Sequence, residues 1–262
     1  MREKPTRQAR TITALAAFTA LAACVTLHVA RGGQKPSEAT SSTDWVQLIG
    51  SSGSLDEWLP AAGWQNVGRA WLDAGDLKKL AASTGKGVVY NGPTGRAFNL
   101  LTRSDFGDVD FHCEFLVPKG SNSGVKFQAV YEIQIDDSYG VKKVTASHSG
   151  GIYPRAEFLP KYHHIDDGYP PKINASRPPG EWQSLDVVFR APKFDKDGKK
   201  TAGARFEKVV LNGLTVQENV EVPYPTGNNW RNKEHPTGPI LLQGDHGSVA
   251  FRKVRVRPLP SR

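Results

Sequence analysis

Residues 130–137 (VYEIQIDD) alternate between apolar and polar side chains, and this pattern constrains the fold of the chain more than any other. One face of an extended strand would carry Tyr131, Ile133 and Ile135. The opposite face would carry Glu132, Gln134 and Asp136. The apolar face predicts packing on a core. The polar face is a row of acids and acceptors, which suits a ligand rich in hydroxyls such as a carbohydrate, and the competing interpretation is a solvated strand face.

Strand-like segments recur along the chain, and only residues 71–82 suggest a short helix. Asn212-Gly213 lies between two such segments, and this dipeptide accepts the positive φ angles of a tight hairpin turn. The pattern predicts an all-β fold over residues 44–260, a two-sheet antiparallel sandwich of jelly-roll type. The predicted strands are 45–49, 87–90, 97–102, 109–117, 124–136, 183–190, 204–211, 214–217, 239–243 and 249–257.

The first thirty residues have the layout of an export signal, with a basic lead followed by an uncharged run from Thr11 to Ala30. Residues 21–24 (LAAC) resemble a lipobox, and the uncharged run is close to the length of a membrane span, so residues 1–30 are either a signal peptide or an N-terminal membrane anchor. Residues 31–43 read as a flexible linker. We therefore expect an exported protein that is periplasmic, membrane-anchored or secreted.

The formal net charge of +8 does not indicate a nucleic-acid partner. Half of it comes from residues 1–31, and the remaining excess gathers in residues 252–257 (RKVRVR), where alternation with valines indicates a strand with one solvated face. Cys113 is the one cysteine outside the N-terminal segment, so an internal disulfide is excluded there. It falls on the Phe111 side of a predicted strand and is expected to be a buried small hydrophobe.

A long segment without regular periodicity, residues 138–181, follows directly on the acidic strand. Loops of this length in a compact domain are usually functional or disordered. The segment is rich in aromatic and histidine side chains, including Tyr153, and is predicted to form a wall of the site.

A second candidate constellation lies at residues 238–247 (GPILLQGDHG), where an apolar strand runs into Gln243 and the Asp245-His246 pair between glycines. Histidine titrates near neutral pH and can act as an acid, a base or a ligand. Arg252 shares the parity of Val254 and Val256, and an inward arginine needs either an anion or a carboxylate partner. Asn122 precedes the acidic strand and is a candidate to bind a hydroxyl.

The sequence gives little support for a metal site. His163-His164 and Asp166-Asp167 are ligand-type residues, but adjacent histidines on an extended segment point in opposite directions. Residues 195–198 (DKDG) resemble the start of a calcium loop, but the twelfth position, where glutamate is needed, is Phe206. No cofactor is indicated with certainty, and a divalent metal is left open.

Several short motifs occur in a fixed order along the chain. Together they resemble the 3-keto-disaccharide hydrolase domain family, over about residues 45–259. The resemblance implies a concanavalin A-like sandwich and an exported bacterial protein that acts on glycosides oxidised at C3. The motifs are 122–124 (NSG), 131–138 (YEIQIDDS), 151–154 (GIYP), 179–183 (PGEWQ), 212–213 (NG) and 238–252 (GPILLQGDHGSVAFR).

The chemistry implied by this resemblance needs a base, an oxyanion stabiliser and an acid. A ketone at C3 acidifies the proton at C2, a base removes it, and the C1 substituent leaves by elimination before water adds. The expected titrating groups are Glu132, Asp136 and His246, with Arg252 or a metal near the oxyanion. The side chains expected to hold sugar hydroxyls are those of Asn122, Gln134, Tyr153 and Gln243.

Two other functions fit the same residues. One is an ordinary retaining glycosidase of laminarinase-like type, although Gln134 stands where such an enzyme has its central acid and no second glutamate follows. The other is a non-catalytic carbohydrate-binding module, because sandwich folds host many lectins and a fold does not determine a function.

Overall fold

The computed structural model of the protein describes residues 44–260, and within them it contains β-strands and no α-helix. The strands, in chain order, are β1 Val46–Ile49, β2 Gln65–Leu72, β3 Leu80–Tyr90, β4 Leu100–Leu101, β5 Val109–Leu116, β6 Asn122–Phe127, β7 Tyr131–Asp136, β8 Ala156–Glu157, β9 His163–His164, β10 Gln183–Arg190, β11 Lys193–Phe194, β12 Lys200–Ala202, β13 Ala204–Leu211, β14 Leu214–Val222, β15 Leu241–Leu242 and β16 Ala250–Pro258.

The strands form two main antiparallel sheets. The large sheet has the order β14-β13-β10-β5-β16-β3-β2, with β1 also paired to β16. The small sheet has the order β4-β15-β6-β7. Residues 150–153 extend the small sheet beyond β7, because the Gln134 N–H donates to the Gly151 carbonyl and the Tyr153 N–H donates to the Glu132 carbonyl. Two short hairpins, β8–β9 and β11–β12, lie outside these sheets.

The core lies between the two sheets and is built by the period-2 alternation of their strands. In β7 the buried apolar side chains are Tyr131, Ile133 and Ile135. Phe127 of β6 stacks on Phe189 of β10 with ring centroids 4.9 Å apart. Burying one large apolar side chain contributes roughly 1.5–3 kcal/mol, so this layer holds the small sheet, and the groups on its outer face, firmly against the large sheet.

The predicted all-β, two-sheet antiparallel sandwich of concanavalin A-like, jelly-roll type is confirmed. The predicted turn at Asn212-Gly213 is also confirmed, with φ angles of 53° and 83° and Leu211 paired to Leu214. Cys113 is fully buried in the core, as expected.

The helix predicted for residues 71–82 is wrong. These residues span the end of β2, a turn and the start of β3. The Asp73 carboxylate accepts the N–H groups of Gly75 and Asp76, which fixes the turn, and Trp71 pairs with Ala81 across it. A side chain that bonds its own following backbone favours a turn over a helix.

The single strand predicted for residues 124–136 is also wrong, because the chain reverses within it. β6 and β7 are joined by a tight turn in which Gln128 and Ala129 have φ angles of 53° and 58°. Neither residue type is usual at positive φ, so the turn has little sequence signal.

The predictions for residues 1–30 and 31–43 lie outside the described residues. Within residues 44–260 the structure has no helix of the length and apolarity that a membrane crossing needs.

Candidate active site

The hairpin of β6 and β7 places a set of polar side chains on the outer face of the small sheet, which we call the polar face. Directly opposite residues of an antiparallel pair project to the same side of a sheet. The cross-strand pairs on this face are Asn122 with Asp136, Gly124 with Gln134, and Lys126 with Glu132. The turn at residues 128–129 therefore adds Lys126 to the predicted row of acids and amides.

Lys126 and Glu132 form an ion pair with Nζ and Oε2 3.0 Å apart. Their side chains are only 11% and 5% exposed, so little solvent screens the two charges. Gly124 makes room for this carboxylate, since a Cβ atom at that position would lie 2.4 Å from Oε1 of Glu132. The pair thus places one buried positive charge and one buried negative charge among side chains that are otherwise mostly amides.

Two buried amide oxygens beside the pair have no hydrogen-bond partner among the described residues, Oε1 of Gln134 and Oε1 of Gln243. The Gln134 Nε2 donates to Asn122 Oδ1 at 3.3 Å and to the Ser147 carbonyl at 3.2 Å, so its amide is held in place. Buried polar groups are nearly always paired, and exceptions call for an explanation. Acceptors that lack a donor in the protein are suited to the hydroxyls of a ligand.

His246 joins the polar face from the segment that follows β15. Its Nδ1 donates to Asp245 Oδ1 at 2.6 Å, and the amide nitrogen of Gln243 lies 3.1 Å from the same Nδ1. The imidazole is half exposed, and the bond to Asp245 leaves its Nε2 available to a ligand.

The electrostatics of His246 link it to the ion pair. The hydrogen bond to Asp245 raises the pKa of His246, burial opposes the rise, and the charges of Asp245 and Glu132 add to it. Lys126 acts on this imidazole in the opposite direction. Burial acts to raise the pKa of Asp245, but the hydrogen bond from His246, the charges of His246 and Lys126 and a backbone hydrogen bond together lower it. The structure therefore brings the two predicted constellations, at residues 132–136 and 243–246, into one site.

Two glycines explain how the Asp245-His246 turn fits against the sheet. A Cβ at Gly244 would lie 2.7 Å from the Trp64 ring, and one at Gly247 would lie 2.4 Å from Ser121 Oγ. Only glycine fits such close approaches. The Gln243 N–H donates to the Gly124 carbonyl, which fixes the start of the turn beside β6.

Asp136 lies on the same side of the hairpin but has a different environment. Its Oδ1 accepts the Ser149 N–H at 2.7 Å, and its own N–H donates to Ser149 Oγ at 2.8 Å. Burial raises its pKa, and bonds from Ser138 and Ser149 oppose the rise. The carboxylate thus ties the turn at residues 145–150 to the end of β7.

Tyr153 comes from the long segment 138–181 that was predicted to form a wall of the site. Its backbone bond to Glu132 places it on the edge of the small sheet beside that residue. Its hydroxyl is hydrogen-bonded to the Tyr162 hydroxyl at 2.9 Å and to His164 Nε2 at 3.2 Å. Burial raises the pKa of Tyr153, and the bond to Tyr162 and the charges of Tyr162 and Glu132 add to the rise.

Arg252 does not join these residues. A bulge in β16, where Lys253 has a φ of 51°, breaks the parity that was predicted to turn Arg252 inward. Its guanidinium instead lies 2.5 Å from the Glu114 carboxylate and 4.0 Å from the centre of the Trp182 ring. It is paired with a carboxylate on the large sheet and is not available to an anion on the polar face.

Residues 44–260 contain no cluster of three or more histidine, cysteine, aspartate or glutamate side chains that could hold a metal ion. The His163 Nδ1 instead pairs with the Lys161 carbonyl at 2.9 Å, while His164 bonds Tyr153. Asp195 accepts the backbone N–H groups of residues 197 and 199, as expected of a hairpin tip.

Sequence reasoning missed Lys126 and did not assume the contact between Asp245 and His246. Lys126 has the same parity in β6 as Asn122 and Gly124, but this becomes informative only once the turn at residues 128–129 is known. Asp245 was visible beside His246, but neighbouring residues in a sequence need not touch.

The fold is that of a glycosidase-like, carbohydrate-active β-sandwich protein. A family model matches residues 44–257, and the chain belongs to the 3-keto-alpha-glucoside-1,2-lyase-like domain family. The resemblance read from the ordered motifs is thereby confirmed. A comparison with curated proteins found no match.

Comparison with solved structures agrees with the family match. A candidate glycosyl hydrolase from Parabacteroides distasonis ATCC 8503 is 25% identical, with 83% of this chain and 84% of that chain covered and a TM-score of 0.58. A second candidate glycosyl hydrolase from the same organism is 16% identical, with 82% and 94% covered and a TM-score of 0.50, and supports the fold alone.

Proposed function

We propose that this protein cleaves 3-keto-glycosides by removing the proton at C2 and eliminating the C1 substituent. The observation that carries the proposal is the convergence on one sheet face of a buried Lys126–Glu132 pair and the Asp245-supported His246. These groups supply a carboxylate, a cation and an imidazole side by side. The family, and the candidate hydrolase of the greater identity, support a carbohydrate substrate.

The proposed reaction balances without an oxidant or a reductant. A base takes the C2 proton, and the electron pair moves into an enolate at the C3 oxygen. The ketone then re-forms, a C1–C2 double bond forms, and the C1–O bond breaks. The departing oxygen takes a proton to give the free alcohol. Water afterwards adds across the double bond, with hydroxyl to C1 and a proton to C2.

Each step matches one group on the polar face. The Glu132 carboxylate acts as the base that removes the C2 proton. Carboxylates commonly take the proton from a carbon next to a ketone. Lys126 faces the enolate oxygen, where a fixed positive charge in a site of low solvent exposure stabilises developing negative charge. His246 protonates the departing oxygen from Nε2, because its raised pKa keeps the imidazolium form over a wider pH range.

The remaining polar groups position the sugar ring. The Oε1 atoms of Gln134 and Gln243 accept hydrogen bonds from two hydroxyls, which satisfies both buried acceptors. Asn122 orients the Gln134 amide, and Tyr153 closes the edge beside Glu132. Asp136 holds the turn at residues 145–150 in this scheme, so its contribution is to position Ser147 and Gln134.

The test is turnover of methyl 3-keto-glucoside, with hydrogen or deuterium at C2. We expect release of methanol, a primary isotope effect on the first step, and no turnover of plain methyl glucoside. Cleavage of plain glucosides or β-glucans without an isotope effect would replace this proposal with an ordinary retaining glycosidase. Binding of both glucosides without turnover would replace it with a carbohydrate-binding module.

We further propose that the protein acts outside the cytoplasm, on the basis of its basic and apolar N-terminus. Cell fractionation of the full chain tests this, and recovery in the periplasmic, membrane or culture fraction distinguishes the three expected locations. Recovery in the cytoplasm alone would contradict it.

A further inference from the structure

A short hairpin rich in aromatic residues stands at the edge of the polar face. We call residues 156–164, which include β8 and β9, the aromatic hairpin. Its apolar side chains are strongly exposed, with Phe158 at 60%, Leu159 at 79% and Tyr162 at 46%. No sugar-binding role is assigned to any of them by the proposed reaction, whose groups all lie on β6, β7, the segment after β15, and Tyr153.

The aromatic hairpin is joined to the site through ring contacts. Tyr153 meets the edge of His164 with centroids 5.3 Å apart, and His164 lies 5.7 Å from Tyr162. Tyr162 lies 5.6 Å from Phe158. These rings form a continuous row that begins at Tyr153, beside Glu132, and ends at the exposed Phe158.

The base of the aromatic hairpin is anchored by main-chain and charged contacts. The Ala156 N–H donates to the Gly227 carbonyl and the Ile165 N–H to the Arg155 carbonyl, both at 2.9 Å. The Glu157 carboxylate accepts a bond from Arg231 at 2.6 Å. The hairpin therefore presents its rings in a defined place beside the site.

The two surfaces differ in the chemistry that they offer. The polar face supplies charges and unpaired amide oxygens, which suit the hydroxyls of a sugar ring. The aromatic hairpin offers exposed rings and a leucine, which suit a flat apolar group through stacking and burial. A glycoside whose leaving group is aromatic has both parts joined at the bond that is cleaved.

We propose that the aromatic hairpin binds the aglycone and favours aromatic over small aliphatic leaving groups. This inference rests on the proposed function for its kinetic test. The sugar ring lies on the polar face beside Glu132, the C1 oxygen takes its proton from His246, and the aglycone extends past Tyr153 to cover Phe158 and Tyr162.

The experiment compares benzyl and methyl 3-keto-glucosides, whose leaving groups are both simple alcohols. Phe158→Ala is expected to raise KM for the benzyl substrate about fivefold to tenfold and to leave kinetics on the methyl substrate unchanged. Phe158→Tyr keeps the ring and is expected to restore the benzyl KM. Leu77→Ala, which truncates another exposed apolar side chain outside the aromatic hairpin, is the control and is expected to change neither substrate.

Equal effects of Phe158→Ala on both substrates, or none on either, would overturn the proposal. If the wild-type protein turns over neither substrate, the proposed reaction fails on its own. The aglycone site is then tested by calorimetry with plain benzyl and methyl glucosides. Tighter binding of the benzyl glucoside that disappears in Phe158→Ala supports the site, and equal affinity for both glucosides refutes it.

Discussion

The outer faces of the two sheets use the same polar alternation in different ways. On the large sheet, acids and cations meet in pairs, with Asp110 2.5 Å from Arg257 and Glu114 bonded to both Arg252 and Lys253. On the small sheet, Lys126 and Glu132 are more deeply buried, and two neighbouring amides keep an oxygen without a partner.

The two faces differ in the kind of buried group that they leave without a partner within residues 44–260, which is an arginine donor on the large sheet and an amide acceptor on the small sheet. Paired, partly exposed charges on a strand face contribute little stability. The buried groups that the large-sheet face leaves without a partner in the described part of the chain are donors, the Nε atoms of Arg255 and Arg257. Buried acceptors without donors cost stability, and in the proposed reaction the sugar hydroxyls would supply the missing donors to Gln134 and Gln243. Residue type alone does not distinguish the two faces, but burial together with bonding does.

Glu132→Gln and His246→Ala are expected to give the largest effects on activity. Each removes a proton-transfer group, so kcat of the folded variant on methyl 3-keto-glucoside should fall by about 10²–10⁴-fold. Glu114→Gln, the corresponding change on the large sheet, is the matched control and should leave kcat unchanged. Full activity of both polar-face variants in folded form would end the assignment.

Lys126→Met is expected to lower both activity and stability. It removes the charge that faces the enolate, for which we expect about a 10²-fold loss in kcat. It also leaves Glu132 buried without its partner, which should cost roughly 3–5 kcal/mol in the free energy of unfolding measured in urea. Arg257→Met breaks a more exposed pair on the large sheet and should cost about 1 kcal/mol or less. Equal losses of unfolding free energy in Lys126→Met and Arg257→Met would contradict the difference proposed between the two faces.

Asp245→Asn is expected to move the pH dependence of activity. The hydrogen bond to the Asp245 carboxylate is the largest cause of the raised pKa of His246. If protonated His246 is the acid, kcat/KM falls as the pH rises through that pKa. Without the carboxylate the pKa drops, so the alkaline limb of the kcat/KM profile should shift to lower pH. An unshifted limb would show that another group titrates there.

Arg252→Met is expected to give the smallest effect. The guanidinium pairs with Glu114 and stacks on Trp182 away from the polar face, and its side chain is one-third exposed. We expect a change of about 1 kcal/mol or less in the free energy of unfolding and unchanged kinetics. A loss of activity in this variant without a loss of stability would show that Arg252 belongs to the active site.

Local patterns were sufficient to predict much of the fold. The alternation in residues 131–136 predicted which side chains enter the core, and Asn212-Gly213 predicted a hairpin, because both signals act over a few residues. The turn at Gln128-Ala129 was not predicted, since neither residue favours positive φ. Missing that turn also concealed Lys126, whose place opposite Glu132 depends on it.

The assembly of the site depended on contacts between distant parts of the chain. The charge of Glu132 reaches His246 only because β15 lies next to β6 in the small sheet, and local sequence patterns do not predict that pairing. Arg252 shows the converse, since one bulge at Lys253 reversed the side predicted from simple parity. Alternation is reliable within an uninterrupted strand, whereas bulges and non-local pairing need the three-dimensional structure.

The way in which the aromatic hairpin is attached has a consequence for evolution and engineering. Its base is held largely by main-chain groups of residues 155, 156, 165 and 227, which any side chains at its tip would leave intact. New tips grafted between these anchor points should therefore change which alcohols are released. The strands that carry the proposed catalytic groups would stay unchanged. The tip is therefore expected to tolerate variation, both in natural evolution and in laboratory libraries.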